Sequence, residues 1–322
     1  MTIPMTTPGP HTRESHTAGP HTAALHTVPF GARLAAAMDA HGPLCVGIDP
    51  HPGLLAAWGL PDDARGLREF TRRVLDAVGG EVAAVKPQSA LFERHGSAGI
   101  AVLEEIVAAG RASGTLVIVD AKRGDIGSTM AAYADAYLRD ASALAGDALT
   151  VSPFLGFGSL TPAIETALAT GRGLFVLALT SNPEGASVQH AVGPARGPAG
   201  APGSTASGSV AGAIAAAAGE LNAAELAARG GALGSIGLVV GATIGDAAAR
   251  LGIDLAAVRG PLLAPGIGAQ GAGAAELAAV FGNARRAVLA STSRGVLGAG
   301  PAVAALRAAA REATVVATGA LR

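Results

Sequence analysis

Four ionisable residues stand close together in the run D-A-K-R-G-D-I, which covers positions 120–126. Asp120 and Lys122 are two apart, so on an extended backbone they point the same way. The run follows the apolar stretch 115–119 (TLVIV), which reads as a buried strand. Gly124 then breaks the strand, and Asp125 sits in the turn before a helix expected to begin near Ser128. Charges at the mouth of an apolar strand are costly to bury unless they pair. A strand-end ion pair would meet that need and nothing more. The alternative is chemical: a fixed ammonium can stabilise negative charge as it develops and then deliver a proton.

Composition sharpens the chemical reading. Of 23 basic residues only two are lysine, Lys86 and Lys122; the rest are arginine. Arginine stays charged, whereas lysine can give up its proton. Both lysines fall at the carboxyl ends of expected strands. Glutamine is as scarce, with Gln88, Gln189 and Gln270 each in an expected loop.

The elements that must position these residues follow from periodicity. Residues 1–28 carry His-Thr repeats at a five-residue step, from His11 to His26, which matches neither helix nor strand. This tail is expected to be a disordered, solvated extension or an over-long start to the reading frame; a weak metal-binding tract is the alternative. Residues 30–40 read as a short amphipathic helix. Eight strand-like runs follow, at 44–48, 82–85, 115–119, 148–151, 174–179, 236–240, 262–264 and 287–290. Helical patterns lie between them, at 67–77, 100–112, 129–144, 159–169, 211–229, 272–281 and 302–311. Strands alternating with helices imply parallel pairing. Eight repeats point to an α/β fold, a (β/α)8 TIM barrel of a single domain over 29–322, with the leading helix closing its amino-terminal end; a typical barrel takes roughly 250 residues. An open doubly wound sheet is the rival. Residues 193–208 (GPARGPAGAPGSTASG) are low in complexity and read as a mobile loop on the catalytic side, either a lid or a plain insertion.

In such a barrel the chemistry sits where strands end. The first strand ends in Asp49-Pro50 and the second in Lys86-Pro87-Gln88-Ser89. The third ends in Asp120-Ala121-Lys122 and the fifth in Thr180-Ser181-Asn182-Pro183. The seventh ends in Pro265 and the glycine-rich run to Gly271, the eighth in Ser291-Thr292-Ser293-Arg294-Gly295. Loops after the last two strands are the usual phosphate site of the fold: glycine lets backbone N–H groups approach, and Arg294 adds a charged fork. Asp49, Lys86, Asp120 and Lys122 together supply two anions and two cations.

The pieces I-D-P (48–50), V-K-P-Q-S-A (85–90), D-A-K-R-G-D-I-G-S-T (120–129), T-S-N-P (180–183), V-V-G-A-T (239–243), P-G-I-G-A-Q-G (265–271) and S-R-G (293–295) resemble, in order, the orotidine 5'-phosphate decarboxylases, especially their longer bacterial-type branch. The resemblance runs from about residue 30 to 312. It implies a cofactor-free decarboxylase of pyrimidine biosynthesis that acts on a small nucleotide, as a homodimer with shared active sites. It implies that Lys122 protonates the product carbanion, that Asp120 lies against the substrate carboxylate, and that Lys86 and Asp49 bind ribose hydroxyls and complete the charged array. Asp125, with Ile126 and Thr129, would reach into the partner's site. Ser181 would hold the pyrimidine, Pro265 would line its pocket, and Gln270 and Arg294 would bind the 5'-phosphate. The insertion after Gln189 departs from the family pattern and leaves that residue without a role.

Other readings are narrowed by the bulk properties. A formal net charge of −1 shows no footprint for nucleic acid or an anionic membrane. No apolar run approaches a membrane span. The single cysteine, Cys45, cannot form an internal disulfide; with no secretory signal visible, this gives an expectation of a cytoplasmic protein. No thiamine motif, pyridoxal-lysine context or metal-ligand cluster is visible, so neither a cofactor nor a metal is expected. A sugar-phosphate enzyme of the same superfamily would share D-x-K-x-x-D but need an acidic metal ligand on the second strand, where this chain has Lys86. A non-catalytic phosphate-binding protein would need only Gln270 and Arg294, and retention of both lysines argues against it.

Overall fold

The computed structural model describes residues 28–193, 208–267 and 272–322. The His-Thr tail, Gln270 and all but the ends of the low-complexity segment lie outside the described residues. Eight parallel strands close in sequence order into a barrel. They are β1 (Leu44–Ile48), β2 (Ala84–Pro87), β3 (Leu116–Arg123), β4 (Ala148–Val151), β5 (Gly173–Leu179), β6 (Ile236–Val240), β7 (Leu262–Pro265) and β8 (Val288–Thr292). The (β/α)8 expectation holds, and the open sheet is excluded because β1 pairs with β8 through Leu44, Cys45 and Val46.

The barrel sorts its side chains by the two-residue period of a strand. Val46, Val85, Val117 and Leu149 face the surrounding helices, whereas Cys45, Ala84, Ile118 and Ala148 pack inside the barrel. Helix Phe30–His41 plugs the amino-terminal end: Phe30, Leu34 and Met38 join that inner cluster. Phe30 meets Phe175 edge-on, with ring centroids 5.9 Å apart. This plug requires glycine at 173, where a Cβ would lie 2.1 Å from the Phe30 ring.

The outer helices follow their apolar stripes. Helix Ala64–Val78 buries Leu67, Phe70, Val74 and Ala77 on one face, and the Asp63 side chain caps it by accepting from the Gly66 N–H at 2.8 Å. Several boundaries differ from the sequence expectation. β2 lies two residues further on than expected, which puts Lys86 within the strand. β3 runs through the charged motif to Arg123 instead of stopping at Val119. The helix expected over 129–144 is Gly127–Leu138; it stops early because Arg139 turns extended and Asp140 pairs with the fully buried guanidinium of Arg172. The last helix runs on to Leu321, with Ala317, Ala320 and Leu321 buried. Among the described residues no helix is long and apolar enough to cross a membrane.

Candidate active site

The inner columns of the strands change character along the barrel axis. On β1 the inward positions run Cys45, Gly47, then Asp49; on β2 they run Ala84, Lys86, Gln88; on β3, Leu116, Ile118, Asp120. Each column is apolar at the plugged end and polar at the carboxyl end. The polar ends line a cleft of ≈ 1100 Å³ bounded by Asp49, Lys86, Gln88, Asp120, Lys122, Ser181, Pro265, Ser291 and Arg294, among others.

Asp120 is the centre of this cleft. It is 5% exposed, and both of its carboxylate oxygens are engaged. Lys86 Nζ donates to Oδ2 at 2.5 Å and Lys122 Nζ to Oδ1 at 2.5 Å. Gln88 Nε2 donates to Oδ2 at 3.2 Å, and the Thr150 hydroxyl donates to Oδ1 at 2.9 Å. Burial alone would push the Asp120 carboxyl up; the charges of Lys86 and Lys122 and their hydrogen bonds outweigh it and hold the group down at about 2. Asp120 is therefore ionised at neutral pH. Burial likewise works against charge on Lys86, but Asp120 and Asp49 outweigh it and raise its pKa above the ordinary lysine value. The two lysines differ in access: the Lys86 side chain is 9% exposed and that of Lys122 is 45%. The Lys122 ammonium is the one that faces the open cleft.

Lys122 owes its position to irregular backbone. The β3–β4 register shifts between Val119 and Arg123: Val119 pairs with Leu149, and Arg123 with Val151. Four steps along β3 thus oppose two along β4, a bulge of the kind that re-aims side chains beside active sites. Within it Lys122 has φ 48°, in the left-handed region. That conformation costs a non-glycine residue about 1 kcal/mol. Asp120 and Lys122 do share one face, but the bulge brings them together, not the plain alternation of an extended strand. Arg123 points out of the barrel; its guanidinium pairs with Glu93, reaches the Tyr137 hydroxyl at 3.3 Å and lies over the rings of Tyr133 and Tyr137.

The remaining candidates divide into two groups. Asp49, Ser181, Pro265 and Arg294 line the cleft with the lysines. The Asp49 Oδ1 atom is buried without a hydrogen-bond partner among the described residues. Arg294 is exposed at the start of the short helix Arg294–Leu297 and makes no ion pair among the described residues. By contrast, Asp125, Ile126 and Thr129 do not line this cleft. Ile126 is 62% exposed, and the apolar side chains of Phe154 and Leu155 on the next strand's loop are exposed as well. Gln189 turns onto the end of β5: its Oε1 accepts from the Thr180 N–H at 2.9 Å and its Nε2 donates to the Thr180 hydroxyl at 2.7 Å. The ends of the low-complexity segment are pinned together, since Val192 and Ser209 form an antiparallel bridge.

Sequence reasoning passed over Thr150 and His51, and named Asn182 at the end of the fifth strand without giving it a role. His51 and Asn182 line the cleft. Thr150 lies one residue before the end of β4, a strand whose terminus carries no charge; a hydroxyl on the inward column next to Ala148 was the available signal. Among the described residues no group of three His, Cys, Asp or Glu side chains is arranged to hold a metal ion.

Fold and site define a class: a (β/α)8 barrel enzyme with a lysine–aspartate–lysine array at its carboxyl mouth. The family model for orotidine 5'-phosphate decarboxylase / HUMPS matches residues 42–309, and the chain belongs to that family. It is 57% identical over 281 residues to an orotidine 5'-phosphate decarboxylase of Salinispora arenicola, covering 87% of this chain and 94% of the relative. To the enzyme of that name from Streptomyces coelicolor it is 58% identical over 287 residues, covering 88% and 94%. A crystal structure from Streptomyces avermitilis that bears the same name provisionally superposes with a TM-score of 0.84 at 56% identity, covering 93% of this chain and 98% of that one.

Proposed function

We infer that this chain is a carboxy-lyase that converts orotidine 5'-phosphate to uridine 5'-phosphate in pyrimidine biosynthesis, with Lys122 as the proton donor. The observation that carries the reading is the Asp120 carboxylate shared by Lys86 and Lys122 at the floor of the cleft. Loss of CO2 breaks the bond between ring carbon 6 and the carboxylate carbon. The electron pair stays on carbon 6, where the ring offers no sink. The Lys122 ammonium stabilises that charge and transfers a proton from Nζ to carbon 6; the resulting amine regains a proton from solvent. Asp120, ionised at neutral pH, opposes the substrate carboxylate and raises the energy of the bound ground state. The barrier reduction lies toward the upper end of the roughly 8–23 kcal/mol that enzymes supply.

Binding is assigned to the rest of the cleft. Asp49, with its unsatisfied Oδ1, and Lys86 take ribose hydroxyls. Ser181 holds the pyrimidine against Pro265. Gln270 and the unpaired Arg294 take the 5'-phosphate, and that remote binding aligns the reacting carbon with Lys122. A Mg2+-dependent sugar-phosphate reaction fits less well, because the Lys86 ammonium occupies the position that needs an anionic metal ligand. Purified protein assayed with orotidine 5'-phosphate, with and without EDTA, tests the reading. Turnover insensitive to EDTA is expected; no turnover, or turnover abolished by EDTA, would reject it.

The active unit in this reading is a cytoplasmic homodimer of 29–322 barrel domains, each active site completed by its neighbour. Asp125, Ile126 and Thr129 sit outside their own cleft, and Ile126 on one loop and Phe154 and Leu155 on the loop after β4 expose apolar side chains of the kind a second copy would cover. Mixing two inactive variants, Lys122→Ala and Asp125→Ala, under conditions that exchange subunits should restore about a quarter of wild-type activity, because half the dimers are mixed and one site in each is intact. A mixture that stays inactive despite demonstrated exchange would rule out the shared site.

A further inference from the structure

We propose that Thr150 is a positioning residue for the decarboxylation, its single hydroxyl locking the Asp120 carboxylate and the Lys122 backbone in register. The inference rests on the assignment of Lys122 as proton donor. The hydroxyl oxygen makes two contacts at once: it donates to Asp120 Oδ1 at 2.9 Å and accepts from the Lys122 N–H at 2.9 Å. The second contact answers a need created by the bulge. With two extra residues on β3, the Lys122 N–H faces no strand carbonyl on β4 and bonds the Thr150 side chain instead, because a backbone N–H seeks a partner. Thr150 supplies the acceptor from the strand opposite. It can do so because Ala148, two residues earlier, packs in the inner cluster, which puts Thr150 on the same inward column. It is 1% exposed, so no solvent competes for its hydroxyl.

The consequence is geometric. Lys122 is held in a left-handed conformation that its side chain does not favour, and its ammonium bonds the same carboxylate oxygen that Thr150 bonds. One hydroxyl therefore sets both where the donor's main chain sits and how the carboxylate is turned toward it. Without that hydroxyl, the carboxylate can rotate and the bulge can relax, and the Lys122 ammonium moves off the position at which carbon 6 needs it. Thr150 touches no reacting atom in this scheme, so the loss falls on the chemical step and not on substrate binding.

The test uses the full chain. Thr150→Val keeps volume and branching but removes the hydroxyl; Thr150→Ser keeps the hydroxyl and removes the methyl. For Thr150→Val, kcat should fall about tenfold or more, the scale of one hydrogen bond to a charged group, while KM and the Kd of uridine 5'-monophosphate stay within about twofold. Thr150→Ser should retain kcat within about threefold of wild type. If the valine variant does not fold, Thr150→Ala compared with Thr150→Ser carries the same contrast, since both lack the methyl and only serine keeps the hydroxyl. Equal losses with and without the hydroxyl, a wild-type kcat in its absence, or a loss confined to KM would each overturn the proposal. Wild-type protein run alongside separates the two levels: absence of turnover there rejects the decarboxylase reading itself, whereas wild-type turnover with a hydroxyl-independent kcat rejects only the role of Thr150.

Discussion

The two ends of the barrel bury charge in different ways. At the plugged end, each guanidinium is matched to one carboxylate and backed by a backbone carbonyl. Arg33 pairs with Asp147 and also donates to the Gly171 carbonyl at 3.1 Å; Arg172 pairs with Asp140 and donates to the Gly146 carbonyl at 2.9 Å. These groups tie the loops that lead into β4 and β5 to the helix plug. At the open end, two lysines share the Asp120 carboxylate, Asp49 keeps an unsatisfied buried oxygen, Arg294 has no partner among the described residues, and Lys122 sits on strained backbone. The closed end finds most of its partners within the fold, with Arg33 Nε and one Arg172 terminal nitrogen buried without a hydrogen bond among the described residues. The open end differs in that its unengaged groups, on Asp49 and Arg294, line the cleft. The contrast separates stability from catalysis in space, and it can be tested from both sides.

The largest effect is expected at the open end. Lys122→Arg keeps the charge but cannot donate the proton, so decarboxylation should fall by at least about 10²-fold, the lower range of general acid catalysis, with the circular dichroism spectrum unchanged. Activity within about tenfold of wild type would remove Lys122 as the donor. At the plugged end the expected loss is in stability. Phe30→Ala empties the space between Gly173 and Phe175 and should destabilise the fold by about 3–5 kcal/mol in chemical denaturation, with kcat unchanged in the folded enzyme. A parallel loss of kcat would show that the two ends are coupled.

A smaller effect concerns acid. The Asp120 carboxyl is held at about 2, below the unfolded value of roughly 3.9, so the pair contributes stability above the unfolded value and loses it as pH falls through the folded one. Wild-type stability relative to Asp120→Asn should therefore decline by roughly 2 kcal/mol between about pH 4 and pH 2. A pH-independent difference would mean that Asp120 is not held ionised by the lysines.

Much of this was legible in the chain. Eight apolar runs alternating with helical patterns point to a parallel α/β fold, a barrel or an open doubly wound sheet, because strands buried on both faces and joined by helices have few other ways to pair. The scarcity of lysine drew attention to Lys86 and Lys122, and both line the cleft. The boundaries were less legible. The strand carrying Asp120 runs four residues past its apolar core, since its polar end is held by pairing with β4 through Arg123 and Val151, which its own composition does not report. Helix Gly127–Leu138 stops where Asp140 is drawn to Arg172, a partner 32 residues away that no local pattern reports.

By itself, then, the sequence determined the candidate residues for chemistry, the strand ends that carry them, and the alternating α/β pattern, all of which follow from residue type and short-range periodicity; closure of the sheet was decided by the pairing of β1 with β8. Tertiary structure decided how those residues meet. The bulge that turns Lys122 onto Asp120 arises from a register mismatch between β3 and β4, and strand register is set by pairing, not by either strand alone. The role of Thr150 follows from the same mismatch: a lone threonine in an apolar strand carries no signal until the opposite strand presents an amide that needs it. The contrast between guanidinium groups paired at one end and a carboxylate shared by two lysines at the other likewise depends on which loops the closed barrel gathers at each mouth.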